Sequence, residues 1–348
     1  MTTLTQASIG SRKIIRYSIY LIIFLIIGRI VLIAGIGIYK KVFPPAPTPA
    51  TVSFGRLSKL PFPEKQKFAL NFTVETPEGG IPNFPPQSKV FFMPKISSNL
   101  LSLDFAKEKA EKLNFNPDPQ KITESIYKFY HKFAPAVLET DIITGAFSIS
   151  YDLKIDPTPL SVRPNQPEVS ASTIRSFLSN AGLLPSDLTG QIEYQYLKTK
   201  DGVFVPALSL SDANIIRVNL FRKSYDNLPV ISNSFKESNI WFLVSGLRER
   251  GKDVIAGEYH YFPVDESQSA TYPIKTGDVA WQEFSSGNYY PESLGATVEN
   301  ENIKIRKIYL AYYDPGVYTE FLQPVFVFEG DKNFVGLVPA ITPDYYGE

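Results

Sequence analysis

The side chains best suited to acid–base chemistry in this chain are one glutamate and one histidine on a strand-like segment. Glu258 and His260 are two residues apart, a spacing that places both side chains on one face of a β-strand. A carboxylate beside an imidazole is a common general acid–base arrangement. The same pattern is also typical of a solvated strand face, and we favour that interpretation. The other histidine, His131, ends a strand-like segment beside Lys132 and is expected to be exposed.

Searches for other catalytic patterns give no match. The chain has no Gly-rich phosphate loop, no nucleophile elbow, no zinc-protease helix and no calcium loop. It has no Cys, which excludes disulfides, thiol catalysis and Cys-ligated zinc. A pair of carboxylates like that of glycosidases stays open, because the two groups need only meet in space. We therefore assign no catalytic, cofactor-binding or metal-ligating residue, and we expect no cofactor and no enzymatic activity.

Composition limits the class of protein. The 348 residues carry 35 Lys and Arg against 35 Asp and Glu, so there is no basic excess for neutralising nucleic-acid phosphates. We expect no nucleic-acid partner. The many Tyr and Phe favour strands. Tyrosines are frequent near the C-terminus, where we expect sheet packing rather than a recognition surface; they are at positions 289, 290, 312, 313, 318, 345 and 346.

The clearest element is an apolar segment near the N-terminus. Residues 17–39 contain a single charge, Arg29, and at 1.5 Å per residue they reach about 34 Å, enough to cross a bilayer core of about 30 Å. Lys and Arg residues flank both ends. The sequence predicts a transmembrane helix at 17–39, in contact with the lipid bilayer, after a cytoplasmic tail at 1–16. A cleavable signal peptide is the competing interpretation, but its apolar region is normally only about 7–15 residues long.

The same segment indicates how the chain is oriented in the membrane and what its one central charge, Arg29, could contact. The tail before the helix has no acidic residue, which favours a cytoplasmic N-terminus and a C-terminal domain outside the cytoplasm. Arg29 lies near mid-span, where a lone Arg costs about 2.5–3.5 kcal/mol. It is a candidate contact with a partner helix in the membrane. The alternative is a tilted helix whose Arg extends to the lipid headgroups.

The region after the helix divides into a linker and an α+β region. Residues 40–66 are rich in proline, which favours an extended spacer. Alternation over residues 67–75 predicts a half-buried strand. We expect a first α+β domain at 67–160 and a second at 168–348, separated by the proline-rich stretch 156–167.

The order of elements recurs within this region. Three helices are predicted, capped by Ser102, by Ser170 or Ser172, and by Thr276 or Asp278, and each is followed by about three strands. Each helix has one apolar face to lie on a sheet. The expected fold is therefore α+β, with antiparallel sheets built from helix–strand–strand–strand units.

The C-terminal stretch at about 275–341 resembles a PepSY-like unit. The likeness lies in the helix Asp278-Val279-Ala280-Trp281-Gln282-Glu283-Phe284, the strand 303–313, and the strand pair that turns at Gly330-Asp331. In plan the chain is similar to membrane-anchored regulatory proteins of the YycH/YycI type. This resemblance implies a module without catalysis that modulates a membrane sensor kinase.

Three functions are consistent with these observations. The first is a membrane-anchored, extracytoplasmic, non-catalytic binding or regulatory module with a membrane or envelope protein as partner. The second is a cell-envelope hydrolase with a dispersed carboxylate site. The third is a structural component of an envelope complex. A deep cleft with two carboxylates would favour the hydrolase.

Overall fold

The computed structural model describes residues 4–42, 49–64, 68–96, 101–234 and 236–347, and in the first helix the side chains of residues 16–36. Contacts divide the chain into two compact units, Met1–Pro49 and Ala50–Glu348. Residues 1–3 of the expected tail, residues 43–48 and 65–66 of the expected linker, and Lys67 at the expected start of the first strand lie outside the described residues.

The first unit is one long helix, α1 (Leu4–Val42). Its segment Arg16–Ile36 is long and apolar enough to span a membrane, and none of that segment is buried. Arg29 is exposed on this helix. The helix is longer than the 23 residues expected from apolar composition, because polar residues on either side of the span have adequate helix propensity.

Among its described residues, the second unit contains three further α-helices and seventeen strands. The helices are α2 (Ser102–Lys112), α3 (Pro167–Asn180) and α4 (Gly277–Ser285). The strands of the first sheet are β3 (Gln120–Lys121), β4 (Ile126–Tyr130), β5 (Ala136–Asp141), β6 (Phe147–Tyr151), β7 (Ile192–Lys200), β8 (Val203–Pro206), β9 (Ile215–Leu220), β11 (Ile240–Val244) and β12 (Val254–Tyr259). Those of the second are β1 (Asn71–Val74), β2 (Gln87–Phe92), β10 (Val230–Ile231), β13 (Asp265–Pro273), β14 (Tyr290–Ser293), β15 (Asn302–Tyr313), β16 (Phe321–Gly330) and β17 (Val335–Pro339).

The nine-stranded sheet is antiparallel throughout, in the order β3-β4-β5-β6-β12-β11-β9-β7-β8. Strand β6 pairs with β12, so strands from both sides of the proline-rich stretch 156–167 belong to one sheet. Helix α3 lies on this sheet, with Ile174 and Leu178 fully buried against it.

The eight-stranded sheet has the order β1-β15-β16-β17-β14, with β2 joined to β16, β13 joined to β2, and β10 joined to β15. Its pairings are antiparallel except those of β1 and β10 with β15, which are parallel. The expectation of antiparallel sheets is confirmed apart from these two short pairings. Both involve strands far from β15 in the chain, so no tight hairpin imposes an antiparallel direction.

The longest strand shows how the sequence sets the faces of this sheet. In β15 the apolar positions run Ile303, Ile305 and then Ile308, Leu310, a change of phase by one residue. The register with β16 shifts at the same point, between Ile305 and Lys307. Such a bulge keeps all four apolar side chains on one face, the face that carries α4 and Phe284.

Residues of the expected linker pack on both faces of the same sheet, Leu57 on the face of α4 and Leu60 on the opposite face. Leu57 and Leu60 are buried, at 0% and 5% exposure, and the amide of Leu57 donates to the carbonyl of Tyr345 at 2.8 Å. Phe62 stacks on Tyr313, with ring centroids 4.6 Å apart. Residues 50–62 therefore pack as part of the second unit.

Helix starts differ from the expectation at two of three places. Helix α2 has Leu101 in the capping position, with Ser102 as its first residue. Helix α3 starts at Pro167, ahead of Ser170 and Ser172, because Pro is favoured in the first turn, where its missing N–H is not needed. For α4 the expected cap is confirmed: Thr276 accepts from the amide of Val279 at 3.3 Å.

The expected order of a helix followed by strands recurs along the chain after α2, α3 and α4. In space, β3–β6 after α2 and β7–β9 after α3 join one continuous sheet, whereas β14–β17 after α4 belong to the other. The mixed α+β class is confirmed. The PepSY-like assignment of residues 275–341 stays a prediction.

Candidate functional site

The two histidines singled out by the sequence lie on the nine-stranded sheet. His260 Nε2 is 3.7 Å from Glu258 Oε2, and both side chains are about half exposed, at 40% and 48%. The two side chains come together as expected, although His260 lies one residue beyond the end of β12. His131 was expected to be exposed, but it is half-buried, because the edge of its ring packs against Phe115 at 5.0 Å.

A large cavity lies between the two sheets, and we refer to it as the inter-sheet cleft. It has a volume of about 830 Å³, within the range of about 300–1,000 Å³ typical of ligand sites. One wall comes from the eight-stranded sheet through Lys307, Tyr309 and Glu329. The other comes from the segments next to β7 and β9, including Gln191 and Arg222.

A row of charged side chains crosses the wall from the eight-stranded sheet. In the strand register, Lys307 of β15 lies opposite Glu329 of β16, and Glu329 lies opposite Val335 of β17. Val335 in turn lies opposite Ser293 of β14, beside a bulge that contains Glu292. Glu292 and Glu329 therefore flank Val335, two strand spacings apart, or about 10 Å between their backbones. Both carboxylates line the cleft.

Tyr309 of the same sheet is hydrogen-bonded to this row of charged side chains. Its hydroxyl donates to Glu329 Oε1 at 2.6 Å. Burial raises the pKa of Tyr309, and the hydrogen bond to Glu329 and the nearby charge of Glu292 raise it further. The phenol is therefore a neutral donor at physiological pH. Lys307 Nζ lies 4.4 Å from the centre of the Tyr309 ring, a cation–π contact at the mouth of the cleft.

One end of the cleft is closed by a buried charge network around Arg222. Arg222 donates to Asp314 Oδ2 at 2.8 Å through Nε and to Asp187 Oδ2 at 2.6 Å through Nη1. Tyr225 and Tyr261 donate to the two oxygens of Asp187 at 2.7 and 2.9 Å. The three charged residues are 4–7% exposed. Since Asp314 follows β15 and Arg222 follows β9, the network joins the two sheets.

The carboxylates around Arg222 stabilise its positive charge. Burial alone lowers the pKa of the guanidinium, but Asp314 and Asp187 outweigh burial, and the net shift is upward. A buried cation with two anions is held in place by its partners, since removing any one of them leaves an uncompensated charge. This network fixes the geometry of the cleft rather than offering a free reactive group.

A second cavity of about 630 Å³ lies between α3 and the nine-stranded sheet, near His131 and Asp253. His131 Nδ1 accepts from the amide of Phe133 at 3.1 Å. Burial lowers the pKa of His131 and raises that of Asp253, although backbone hydrogen bonds to Asp253 partly oppose the second effect. Both groups therefore favour their neutral forms relative to the unfolded chain.

Several of the late tyrosines pack in the core of the second unit, as expected. Tyr289, Tyr312 and Tyr313 are at most 2% exposed, and Tyr290 stacks on Phe62 with ring centroids 3.9 Å apart. Across the part of the chain that the structure describes, no group of three or more His, Asp or Glu side chains is arranged to hold a metal ion.

Sequence reasoning missed every member of the cleft. Glu292, Tyr309 and Glu329 come from three strands of one sheet, and Arg222 finds its carboxylates 35 and 92 residues away. The only local signal was Asp314, which begins an Asp-Pro-Gly turn. A turn motif does not reveal that its first side chain is buried in an ion pair.

Comparison with known proteins adds only distant structural similarity. No protein-family model matches the chain, and no curated protein matches it. A solved structure of an uncharacterized protein from Eubacterium rectale ATCC 33656 is similar at 12% identity with a TM-score of 0.41, covering 76% of this chain and 85% of that one. A similarity at this level carries no argument about function.

Proposed function

We propose that this chain is a membrane-anchored, extracytoplasmic, non-catalytic binding or regulatory module that modulates a membrane sensor or envelope complex. The observation that carries the proposal is the exposed apolar span Arg16–Ile36, followed in the chain by a compact unit with a wide inter-sheet cleft. The span provides the anchor, and the cleft provides the binding site.

The exposure of the span supports its role as an anchor. A core helix of a soluble protein would bury its apolar face, whereas the side chains of Leu21, Phe24 and Leu25 are 59–72% exposed. Its 21 residues reach about 32 Å at 1.5 Å per residue, close to the thickness of a bilayer core. Lipid is the environment that such a surface requires.

Membrane attachment is tested on the full chain in its native cells. We expect the protein to stay in the membrane fraction after alkaline carbonate treatment, and we expect N-terminal sequencing to find the residues before Phe43 still present. Protease added outside intact cells is expected to digest the C-terminal unit. Release by carbonate, or a mature chain that begins beyond Phe43, would contradict the anchor and favour a cleaved signal.

Arg29 is the residue of the anchor that we propose contacts a partner helix. A lone charge at mid-span costs about 2.5–3.5 kcal/mol in lipid, and an acidic or carbonyl group of a partner would offset that cost. In-membrane crosslinking followed by partner identification compares the native chain with Arg29→Leu and with Arg29→Lys, which keeps the charge. We expect Leu to lose the partner and Lys to retain it. Retention in both variants would favour an Arg that extends to the headgroups.

The identity of the crosslinked partner separates regulation from assembly. A sensor kinase would support the regulatory role that the YycH/YycI resemblance implies. A set of structural envelope proteins alone would instead favour an assembly component.

A cell-envelope hydrolase is the second candidate function, favoured by the two carboxylates of the cleft. Glu292 and Glu329 flank Val335 across two strand spacings, and inverting glycosidases separate their carboxyl groups by about 6.5–9.5 Å. Release of soluble fragments from purified cell-wall glycan tests this function. Activity that is lost in Glu329→Gln would support it over the non-catalytic proposal.

A further inference from the structure

Strand β15 has a gap along one of its two edges. Its other edge pairs with β16 from Ile305 to Tyr313. On the edge with the gap, β1 pairs with residues 302–305, and β10 pairs with Tyr312 and Tyr313. No strand among the described residues pairs with residues 306–311 on this edge. We call this stretch the β15 gap, and at about 3.3 Å per residue it is about 20 Å long.

The backbone groups that face the β15 gap are those of Ile308 and Leu310. The amide of Tyr312 donates to the carbonyl of Pro229, just before β10, at 2.8 Å. On its other side Tyr312 lies opposite Pro324 of β16, which has no N–H to donate. Alternate residues of a strand direct their backbone groups to the same edge, and the register with β16 has no shift in this part of β15. Ile308 and Leu310 therefore direct their N–H and C=O groups into the gap.

These backbone groups have no hydrogen-bond partner among the described residues. Ile308 and Leu310 are only 5% and 4% exposed, so little water reaches this part of the strand. Backbone groups in such surroundings are normally paired. Two N–H and two C=O groups in a row therefore mark a place that suits another extended backbone.

Prolines keep the two neighbouring segments from extending into the β15 gap. At one end the amide of Glu75 donates to the carbonyl of Ile305 at 2.9 Å. The chain then continues through Pro77, which has no N–H for a further bond to this edge. At the other end Pro229 also has no N–H, so it cannot donate to the carbonyl of Leu310. The strands β1 and β10 therefore stop while pairing positions on β15 remain.

The inter-sheet cleft runs beside the β15 gap and offers two kinds of surface. Lys307, Tyr309 and Leu310 belong to the gap and line the cleft. Phe84 and Leu228 also line it and pack with the core that contains Leu310. On the opposite face of the sheet, Lys307 Nζ lies 4.4 Å from the centre of the Tyr309 ring. Side chains of a strand alternate between two faces, so the gap suits a segment that is apolar on one face and polar on the other.

We propose that the β15 gap binds an extended peptide segment of a partner protein, which adds to the edge of β15 as a further strand between β1 and β10. The backbone of the segment bonds to Ile308 and Leu310, and its apolar side chains lie against Phe84 and Leu228. In this mode of recognition, backbone hydrogen bonds give affinity and alternate side chains give specificity. This inference rests on the proposed binding function and names the class of ligand.

The position of the β15 gap favours a short segment over a second copy of this chain. Pairing between two copies through their sheets needs a long, open edge. The gap instead has a strand at each end and lies along a cleft between two sheets. A single extended segment fits these limits.

The test uses a heptapeptide probe and the full chain in detergent micelles. The probe alternates valine and threonine between two terminal lysines that keep it soluble, and its analogue has the same side chains with an N-methyl group on every backbone amide. Fluorescence anisotropy measures binding of the labelled peptides, and NMR with isotope-labelled leucine follows hydrogen exchange of the Leu310 amide. We expect the heptapeptide to bind and to slow this exchange at least about tenfold. The analogue has no N–H to donate and is expected to do neither.

Two variants at one position locate the interaction. Leu310→Pro and Leu310→Ala both lose the leucine side chain, but only proline loses the N–H that faces the gap. We expect Leu310→Ala to bind the heptapeptide within about threefold of the native chain, and Leu310→Pro to bind at least about tenfold more weakly. Equal binding by the two variants would overturn strand addition. If Leu310→Pro fails to fold, the exchange of the Leu310 amide in the native chain carries the comparison.

Two further outcomes would overturn the proposal in different ways. Equal binding of the heptapeptide and its N-methyl analogue would exclude strand addition and leave the cleft as a site that recognises side chains. Protection of the Leu310 amide that increases with protein concentration, without any peptide, would identify a second copy of the chain as the occupant.

One more variant separates failure of this inference from failure of the binding function. Gln191 lines the cleft and is exposed, so Gln191→Trp would obstruct the cleft without changing the core. If neither peptide binds the native chain, strand addition is overturned. Loss of the crosslinked membrane partner in Gln191→Trp would still support a binding function for the cleft, and retention of that partner would contradict it.

Discussion

Arg222 donates through Nε to Asp314 Oδ2 at 2.8 Å, and this bond connects the end of β9 in one sheet to the end of β15 in the other. Asp187 holds the same guanidinium from a second side at 2.6 Å. The two sheets therefore meet at a buried, charged contact next to the cleft. The first of four predictions concerns the stability that this contact provides.

Arg222→Met is expected to lower the free energy of unfolding by about 3–5 kcal/mol, because two buried aspartates lose their counter-charge. Urea unfolding of the full chain in micelles measures the change. The two tryptophans give separate signals, since Trp241 lies on β11 of one sheet and Trp281 on α4 against the other. Single-tryptophan backgrounds, Trp281→Phe and Trp241→Phe, follow each sheet by itself.

The matched control for this prediction is Arg306→Met. Arg306 also pairs with two carboxylates, those of Glu75 and Asp331, but its side chain is 49% exposed. Exposed ion pairs contribute about 0–1 kcal/mol. Equal losses of stability in the two variants would contradict a special role for the buried network.

The second prediction concerns His131 and pH. Burial lowers the pKa of His131 below its ordinary value of 6.5, so the unfolded chain takes up this proton more readily than the folded one. The stability that His131 contributes is therefore fully present above 6.5 and is lost as pH falls through the folded-state pKa. Protonation also removes the acceptor of the Phe133 amide.

Proton NMR of the imidazole signals tests this, because the chain has only two histidines. We expect one resonance to titrate below 6.5 and to disappear in His131→Gln. It should persist in His260→Gln, the control at the exposed position. A low-titrating signal that survives in His131→Gln would refute the assignment.

The third prediction is that Asp253→Asn stabilises the protein at neutral pH. Burial raises the pKa of Asp253 above its ordinary 3.8, so the folded chain holds this proton more firmly than the unfolded chain. Its contribution to stability is greatest below 3.8 and declines as pH rises through the folded-state pKa. Because asparagine has no carboxyl group to ionise, Asp253→Asn is expected to keep its stability as pH rises.

Urea unfolding measured across pH tests the third prediction. The variant is expected to be more stable than the native chain at neutral pH and equal to it near about pH 3. Asp118→Asn, at an exposed position, is the control and should follow the native curve. A constant difference between Asp253→Asn and the native chain at every pH would exclude charge burial as the cause.

The fourth prediction tests the start of α4. Thr276 accepts from the amide of Val279, and loss of such a cap costs about 0.5–2 kcal/mol. Thr276→Ala should therefore lower thermal stability. Ser172→Ala is the comparison, since Ser172 is exposed within α3 and alanine has the higher helix propensity there. It should leave stability unchanged or slightly raised; a loss as large as that of Thr276→Ala would contradict the capping argument.

Local features of the fold were predictable because periodicity and turn chemistry act over a few residues. The apolar span, the alternation in β15 and the turn at Asp201-Gly202 all follow from neighbours in the chain. The last is a tight hairpin in which both residues have positive φ, as the Asp-Gly pair favours. The start of α3 was misjudged because two serines competed with Pro167 as start signals.

By itself the sequence determined an apolar N-terminal helix and an α+β region rich in strands, since hydrophobic spacing is a local property. Only the tertiary structure decided that β6 and β12 share one sheet, that Leu57 and Leu60 are core residues, and that Glu292 and Glu329 line one cleft. The physical reason is that strand order and buried ion pairs depend on contacts between distant residues. Arg222 and Asp314, 92 positions apart, have no pattern in the chain that would connect them.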